Sequence, residues 1–120
     1  MNNETRTEFL DLIAAHPDLH LRGYGFGNTV PDDFDASRAE LSHPYRLETA
    51  LDASEWCAAR LKAHKPKPAW DRSGYHWKHI MERETGNYTY VGPFLLGALH
   101  AGLPVTFNHL NGTIHARLAR

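Results

Sequence analysis

The sequence predicts an α+β fold, a small and mainly helical domain of about four helices with a C-terminal β-hairpin. Apolar residues recur at helical spacing between residues 44 and 64. Two later segments, 74–85 and 94–101, begin and end at residues typical of helix termini. An Asn-Gly pair then stands between two segments of alternating hydrophobicity, which indicates two antiparallel strands joined by a tight turn.

The chain of 120 residues is predicted to form one domain, because two separate cores would each be too small to hold together well. It divides into an acidic N-terminal part (1–43) and a helical core with its hairpin (44–118). Residues 1–59 contain four Lys/Arg and eleven Asp/Glu, whereas residues 60–83 contain seven basic residues and two acidic ones. This asymmetry predicts two electrostatically different surfaces, unless the charges merely alternate on solvated faces.

The N-terminal part predicts one clear helix and two short elements. The helix runs from about residue 4 to residue 15, with Asn3 as its N-cap. Residues 19–24 are compatible with a short strand and residues 31–41 with a short helix. A glycine-rich segment, 22–28, overlaps the end of the candidate strand and has no predicted role.

The helical core predicts three helices in succession. The first, from Pro44 to about His64, buries one face and ends at the Lys65–Pro68 connector, which proline keeps extended. Ser73 is suited to cap the second helix, 74–85, and Gly86 to end it. Gly92-Pro93 opens the third, which is apolar nearly all round and should therefore be buried.

The hairpin prediction depends on Asn111 and Gly112. In a two-residue type I′ turn both central residues have positive φ, which glycine adopts freely and asparagine tolerates. The sequence therefore predicts a two-residue turn at these positions.

Composition favours a cytoplasmic protein. Cys57 is the only cysteine, so no internal disulfide can form, and a lone thiol suits a reducing compartment. No segment reaches the roughly 18 consecutive apolar residues of a membrane span. The first residues are acidic where a signal peptide would be basic. Cys57 itself lies on the inward face of a helix, which favours a packing role over a nucleophilic one.

His76, His79 and Glu82 are the residues most able to perform chemistry. They stand three apart on one side of a predicted helix and could bind a metal or act as acid and base. The spacing differs from that of zinc proteases, and surface pairing explains it equally well. We therefore expect no catalytic residues, no metal and no cofactor.

Residues 22–26, Arg-Gly-Tyr-Gly-Phe, match the opening of the signature of RNA-recognition motifs. The match fails at the next three residues. In an RNA-recognition motif the signature lies on a late strand, after another strand and a helix, whereas here only a helix and a short segment precede it. A surface loop is the better interpretation.

A basic stretch with interleaved aromatic residues is the strongest candidate for partner or nucleic-acid binding. Such a mixture suits phosphate contacts combined with base stacking, and it equally suits an acidic protein surface. The candidate residues are Arg60, Lys62, Lys65, Lys67, Trp70, Arg72, Tyr75, Lys78 and His79.

One motif in the core carries a family resemblance. Ser73, Tyr75, Lys78, His79 and Glu82 follow a Ser-Tyr-x-x-Lys-His-x-x-Glu pattern except that Gly74 stands between the first two residues. A Tyr-x-x-x-Gly segment and an alanine-containing helix come after it. In this the chain resembles a group of small uncharacterised proteins of phages, plasmids and integrated elements. The resemblance covers about residues 44–118. It implies a mobile-element setting, in which small proteins often block host defences or bind nucleic acid.

These observations predict a non-enzymatic binding protein of mobile-element type. It would inhibit nucleic-acid-handling host defence machinery, as an anti-CRISPR protein does, by contacting a host protein or ribonucleoprotein complex. A winged-helix DNA-binding protein is the first alternative, with helices 74–85 and 91–102 and the hairpin as wing. A small metal-dependent hydrolase or nuclease is the second. Direct binding of nucleic acid stays open, and no membrane partner is expected.

Overall fold

A computed structural model describes residues 1–25, 31–108 and 112–119 of the chain. The described residues contain five helices, one more than the sequence predicts. They are α1 (Asn3–Ala15), α2 (Pro31–Leu41), α3 (Pro44–Arg60), α4 (Gly74–Thr85) and α5 (Val91–His100). The seven short strands are β1 (Leu19–His20), β2 (Gly23–Tyr24), β3 (Leu61–Ala63), β4 (Arg72–Ser73), β5 (Val105–Phe107), β6 (Gly112–Ile114) and β7 (Ala116–Leu118).

Helix α5 is the centre of the fold. Its residues 92–98 are all buried, as its apolar sequence predicts. It packs most closely on α3, where Gly97 lets the two backbones approach; a Cβ atom at Gly97 would lie 2.5 Å from the carbonyl oxygen of Ala50. One hydrophobic cluster joins α5 to residues from Phe9 to Ala116, so the acidic N-terminal part and the helical core share a core.

The end of α3 is a correction to the prediction, whereas α2 has the bounds of the short helix with which residues 31–41 are compatible. Helix α2 is a full helix because Phe34 and Leu41, although widely spaced, both turn into the protein. Helix α3 ends at Arg60 rather than near His64, because the next three residues leave the helix to pair with β7. Helix α1 is capped by Asn2, one residue earlier than expected, through its side-chain oxygen and the Thr5 amide.

Helix α4 confirms its predicted limits. The Ser73 hydroxyl accepts a hydrogen bond from the His76 amide at 3.2 Å, and Gly86 ends the helix with φ of 76°. Both signals act within one turn of the helix, so they are independent of the rest of the fold.

Three small antiparallel sheets complete the described structure. Strand β1 pairs with β2, β3 pairs with β7, and β4, β6 and β5 form a sheet in that order. Lys62 lies opposite Arg117 in the β3–β7 pair, and Arg72 lies opposite Ile114 in the β4–β6 pair. The C-terminal strands therefore cover two segments that flank the basic connector.

The C-terminal hairpin is present, but the predicted position of its turn is wrong. Gly112 belongs to β6 and lies opposite Phe107, so the connection comprises residues 108–111. A residue paired in a strand is not a central residue of a two-residue turn. Asn111 lies outside the described residues. A glycine is needed at 112 for another reason, because a Cβ atom there would lie 2.9 Å from the Phe107 ring.

No helix in the described part of the chain is long and apolar enough to cross a bilayer.

Candidate functional site

A groove of about 670 Å³ lies between the connector after β3, helix α4 and the last residues of β7. Its apolar surface comes from the Trp70 and Trp77 rings together with small and aliphatic side chains. Trp77 is 4% exposed and forms part of the wall, whereas Trp70 is 42% exposed at the mouth. The remaining apolar lining consists of Ala69, Ile80, Leu118 and Ala119.

Three cations surround this apolar surface. They are Lys67, Arg72 and Arg117, and two imidazoles, His64 and His76, stand beside them. No carboxylate of the described residues lines the groove. Burial lowers the pKa of His76, and the positive charges of Arg72, Arg83 and His79 lower it further. The site is therefore electropositive at its rim and apolar within.

The local structure of residues 64–71 positions this rim. Pro66 and Pro68 keep the segment out of a helix, and the Trp70 and Asp71 amides donate to the Lys67 carbonyl at 2.9 and 3.0 Å. The Asp71 carboxylate in turn accepts from the Lys67 amide at 2.8 Å. The Lys67 ammonium lies 5.5 Å from the centroid of the Trp70 ring. A closed turn thus holds a cation and an indole together at the mouth of the groove.

The predicted binding residues separate into two groups. Lys62, Lys65, Lys67, Trp70 and Arg72 are exposed, and the last three line the groove. Arg60 instead lies over α4, where two of its nitrogens each donate to Glu84 at 2.9 Å. Among the described residues, no carboxylate forms an ion pair with Lys67, Arg72 or Arg117.

The residues of the Ser73–Glu82 motif that lie on α4 mostly serve the fold. Lys78 is only 6% exposed, and its ammonium pairs with Glu82 at 3.2 Å. His79 approaches the same carboxylate at 3.2 Å, and the Thr89 amide donates to it at 3.0 Å. Glu82 thereby connects α4 to the segment that leads into α5. Tyr75 is 59% exposed and stands edge-on to His79, away from the groove.

His76 does not join His79 and Glu82. It lines the groove beside Trp77, whereas His79 faces Glu82 on the neighbouring side of the helix. Within residues 1–25, 31–108 and 112–119, no group of three or more His, Cys, Asp or Glu side chains is arranged to hold a metal ion. The hydrolase alternative therefore has no assembled metal centre in this region to support it.

The winged-helix alternative meets a steric difficulty. A recognition helix must present side chains to the major groove of DNA. Helix α5, which would occupy that place, is covered by the rest of the core. The described structure therefore offers no recognition face at 91–100.

Two other residues that were candidates for a functional role, Cys57 and Tyr24, are packed within the fold. Cys57 is fully buried, which raises its pKa to about 12, so the thiol stays protonated at neutral pH. Tyr24 of the glycine-rich segment stacks on Phe107, with ring centroids 4.2 Å apart, and does not project as a stacking platform. Phe26 lies outside the described residues.

Arg117 and the groove itself are not predicted by the sequence. Arg117 is far from the basic stretch in the chain and reaches it only through the pairing of β7 with β3. The helical pattern predicts that Trp77 faces inward, but not that it forms a wall of the groove. No local pattern marks either residue, because the groove forms between segments that are distant in sequence.

No family model matches this chain, and comparisons with the curated proteins and the solved structures found no similar protein.

Proposed function

We propose that this protein is a non-enzymatic binding protein whose groove holds an acidic segment of a partner protein. One observation supports this most directly: three cations without an ion-pair partner in the described structure surround an apolar groove. Their two neighbours of the same predicted set, Arg60 and Lys78, are each neutralised by a glutamate. The uncompensated positive charge is thus concentrated at one concave place.

The apolar wall favours a protein partner over nucleic acid. Apolar and aromatic side chains inserted into well-packed pockets dominate binding energy at protein interfaces. Trp77, Ile80 and Leu118 provide such a wall, and the cations stand around it where carboxylates of the partner would lie. A single-stranded nucleic acid would need a series of exposed rings along a basic track. Of the two described indole rings in the groove, Trp70 is well exposed and Trp77 is not.

The proposal that the partner belongs to host defence machinery depends on the resemblance to mobile-element proteins. That resemblance includes Ser73, Lys78, His79 and Glu82, which cap and brace α4. A common scaffold with a variable groove would fit a group of proteins that bind different targets. Inhibition of a CRISPR-type complex is the specific form of this proposal.

The test compares two double variants of equal charge change. Lys67→Glu with Arg72→Glu alters the groove, and Lys62→Glu with Lys65→Glu alters exposed positions that do not line it. The probe is a labelled peptide rich in Asp and Glu with one central Phe, and its binding is followed by fluorescence anisotropy. We expect the groove variant to weaken binding at least about tenfold and the control variant to change it far less.

Two further probes identify the class of partner. Replacing the central Phe by Ala should weaken binding if the apolar wall receives an anchor side chain. An oligo-deoxythymidine of equal length should bind more weakly than the peptide at physiological salt. Tighter, steeply salt-dependent binding of the oligonucleotide would instead assign the groove to nucleic acid.

A further inference from the structure

Three polar side chains from distant parts of the chain meet on the sheet formed by β4, β6 and β5. In the β5–β6 pair Thr106 lies opposite Thr113, and side chains two residues apart share a face of the sheet, so His115 is the diagonal neighbour of Thr106. Arg72 lies opposite Ile114, so Asp71, one residue earlier, continues the antiparallel register opposite His115. The register alone therefore brings Thr106, His115 and Asp71 together.

Their hydrogen bonds follow the order of nucleophile, base and carboxylate. The Thr106 Oγ1 atom lies 2.5 Å from His115 Nε2, and His115 Nδ1 lies 2.6 Å from Asp71 Oδ2. With Nδ1 donating its proton to the carboxylate, Nε2 is the free acceptor that faces the hydroxyl. A hydroxyl beside a base that a third group orients is the arrangement of an activated nucleophile.

The carboxylate is itself held in place. Asp71 accepts a second hydrogen bond from the Lys67 amide at 2.8 Å, and its side chain is 9% exposed. His64 Nε2 lies 3.7 Å from the other carboxylate oxygen. The His115 side chain is 10% exposed, and the His115 amide donates to the Pro104 carbonyl at 2.9 Å. Base and carboxylate are therefore fixed and shielded, whereas Thr106 on the edge strand β5 is exposed.

A second contact between a hydroxyl and a histidine in the same protein shows why exposure matters. The Ser54 Oγ atom lies 2.8 Å from His100 Nδ1, and His100 Nε2 lies 3.2 Å from a Glu8 oxygen. Ser54 is only 5% exposed, between α3 and α5, so no external reactant can reach its hydroxyl. This contact serves packing. Of these two hydroxyl–histidine contacts, the one at Thr106 has its hydroxyl on an exposed residue.

We propose that Thr106 is an activated hydroxyl that accepts an acyl group from small activated esters or thioesters, with His115 as the base and Asp71 as its positioning residue. Thr106 Oγ1 forms a bond to the carbonyl carbon while its proton passes to His115 Nε2. The bond from that carbon to the leaving oxygen or sulfur breaks, and the leaving group departs with the electron pair. The proton on His115 then passes to solvent or to the leaving group, and an O-acyl threonine remains.

This site lies beyond the proposed binding function and does not depend on it. The acylation is stoichiometric, one acyl group for each chain, and Thr106 does not line the groove. Because the hydroxyl is on an exposed strand, the substrate class is set by the reactivity of the carbonyl and by small size. Cys57, buried and with its pKa raised to about 12, does not compete for the acyl group at neutral pH.

The test uses 4-nitrophenyl acetate, with release of 4-nitrophenolate measured by absorbance and the acetyl position found by peptide mass spectrometry. We expect acetylation of Thr106 in the native protein. Thr106→Val and His115→Gln should lower the rate at that peptide at least about 100-fold, the scale of general-base catalysis. Thr106→Ser should retain or raise the rate because its hydroxyl is less hindered.

Two variants separate the chemical role from a structural one. Asp71→Asn keeps the shape of the side chain but no longer holds the His115 tautomer, so the rate should fall and its pH profile should move. Ser54→Ala, the matched control at the buried contact, should leave the rate at Thr106 unchanged. Thermal melting establishes that each variant folds. Absence of acetyl-Thr106 in the native protein, or equal rates in Thr106→Ser and folded His115→Gln, would overturn the proposal.

Discussion

At the residue scale, Glu82 shows that the polar side chains of a conspicuous motif can be used in structural contacts within the fold. Its carboxylate pairs with the Lys78 ammonium, lies close to the His79 ring and accepts a hydrogen bond from the Thr89 amide. The Glu82 side chain is 10% exposed. A buried carboxylate needs such partners, because an unpaired charge in the interior is very costly. His79 and Glu82, two of the three residues that the sequence marks as most able to perform chemistry, therefore stabilise the junction between α4 and the segment that leads into α5.

His20 gives a prediction about pH. It is 3% exposed; its Nε2 lies 2.9 Å from the Gly25 carbonyl oxygen, and its Nδ1 lies 2.9 Å from the Ser37 hydroxyl. Burial lowers its pKa below the ordinary value of 6.5, and the charges of Arg22 and Arg38 lower it further, against the effect of the bond to Gly25. The native state therefore favours the neutral ring.

The sign of the effect follows from proton linkage. The unfolded state binds a proton to His20 first, so stability is lost as pH falls through about 6.5 toward the lower folded pKa, and the loss is absent above that range. Urea unfolding between about pH 8 and about pH 5 should show a smaller loss in His20→Gln, whose amide does not titrate. An equal loss in both proteins would contradict this role of His20.

At the scale of elements, the crossing of α3 and α5 depends on a residue without a side chain. A methyl group at Gly97 would lie 2.5 Å from the Ala50 carbonyl oxygen and 2.7 Å from the Ala53 Cβ. Helix propensity alone would make alanine better than glycine here by about 1 kcal/mol. Propensity and packing thus predict opposite signs for the same substitution.

We expect packing to prevail. Gly97→Ala should lower the free energy of unfolding by about 1–3 kcal/mol, because α5 must move away from α3 to admit the methyl group. Chemical denaturation measures this change. A more stable variant would show that the two helices separate easily, and the described approach would then be looser than the distances indicate.

The C-terminal hairpin provides a second prediction about an element. In Gly112→Val the new side chain meets Phe107, whose ring lies 2.9 Å from the Cβ position, and Leu95 at 3.0 Å. We expect a loss of about 1–3 kcal/mol in the free energy of unfolding, through overpacking rather than through the backbone conformation of a turn. Unchanged thermal stability would contradict the close contact.

A double variant distinguishes the two explanations for the need for glycine. Phe107→Ala removes the ring that the introduced valine side chain would meet, so the cost of Gly112→Val should be smaller in that background. If the cost arose from positive φ, it would be the same with or without the ring. The coupling free energy from denaturation of the four proteins measures the difference.

For the whole molecule, the arrangement of the histidines predicts stability without metal. His76 lines the groove while His79 contacts Glu82, so the described structure has no ligand set whose loss would unfold it. Chelation should leave the melting temperature unchanged, and purified protein should hold no stoichiometric metal. One zinc per chain that is lost in His79→Ala would contradict this and would favour the hydrolase alternative.

Charge is also organised at the scale of the whole molecule. The excess of basic residues in 60–83 is apparent in the sequence, but its effective distribution is not. The charges of Arg60 and Lys78 are offset by Glu84 and Glu82, whereas Lys67 and Arg72 gain Arg117 as a neighbour in the groove. A count of charges along the chain therefore locates the region but not the site.

The sequence by itself determined the elements whose signals are local. Ser73 and Gly86 set the limits of α4, and the apolar composition of residues 91–100 determined that α5 is buried. These signals act through bonds within one turn or through the burial of a whole segment. The alternating hydrophobicity on either side of Asn111-Gly112 also predicted the hairpin, but the Asn-Gly pair did not mark the position of its turn.

Only the tertiary structure decided the register of the strands, and with it both proposed sites. The pairing of β3 with β7 brings Arg117 to the groove, and the pairing of β4 with β6 places Asp71 against His115. Short strands carry little register information of their own, because a shift is opposed mainly by the burial of alternate side chains on a common core. Ile114 and Ala116, both fully buried, hold that register, and they thereby place the adjacent His115 and Arg117 against segments that are distant in the chain.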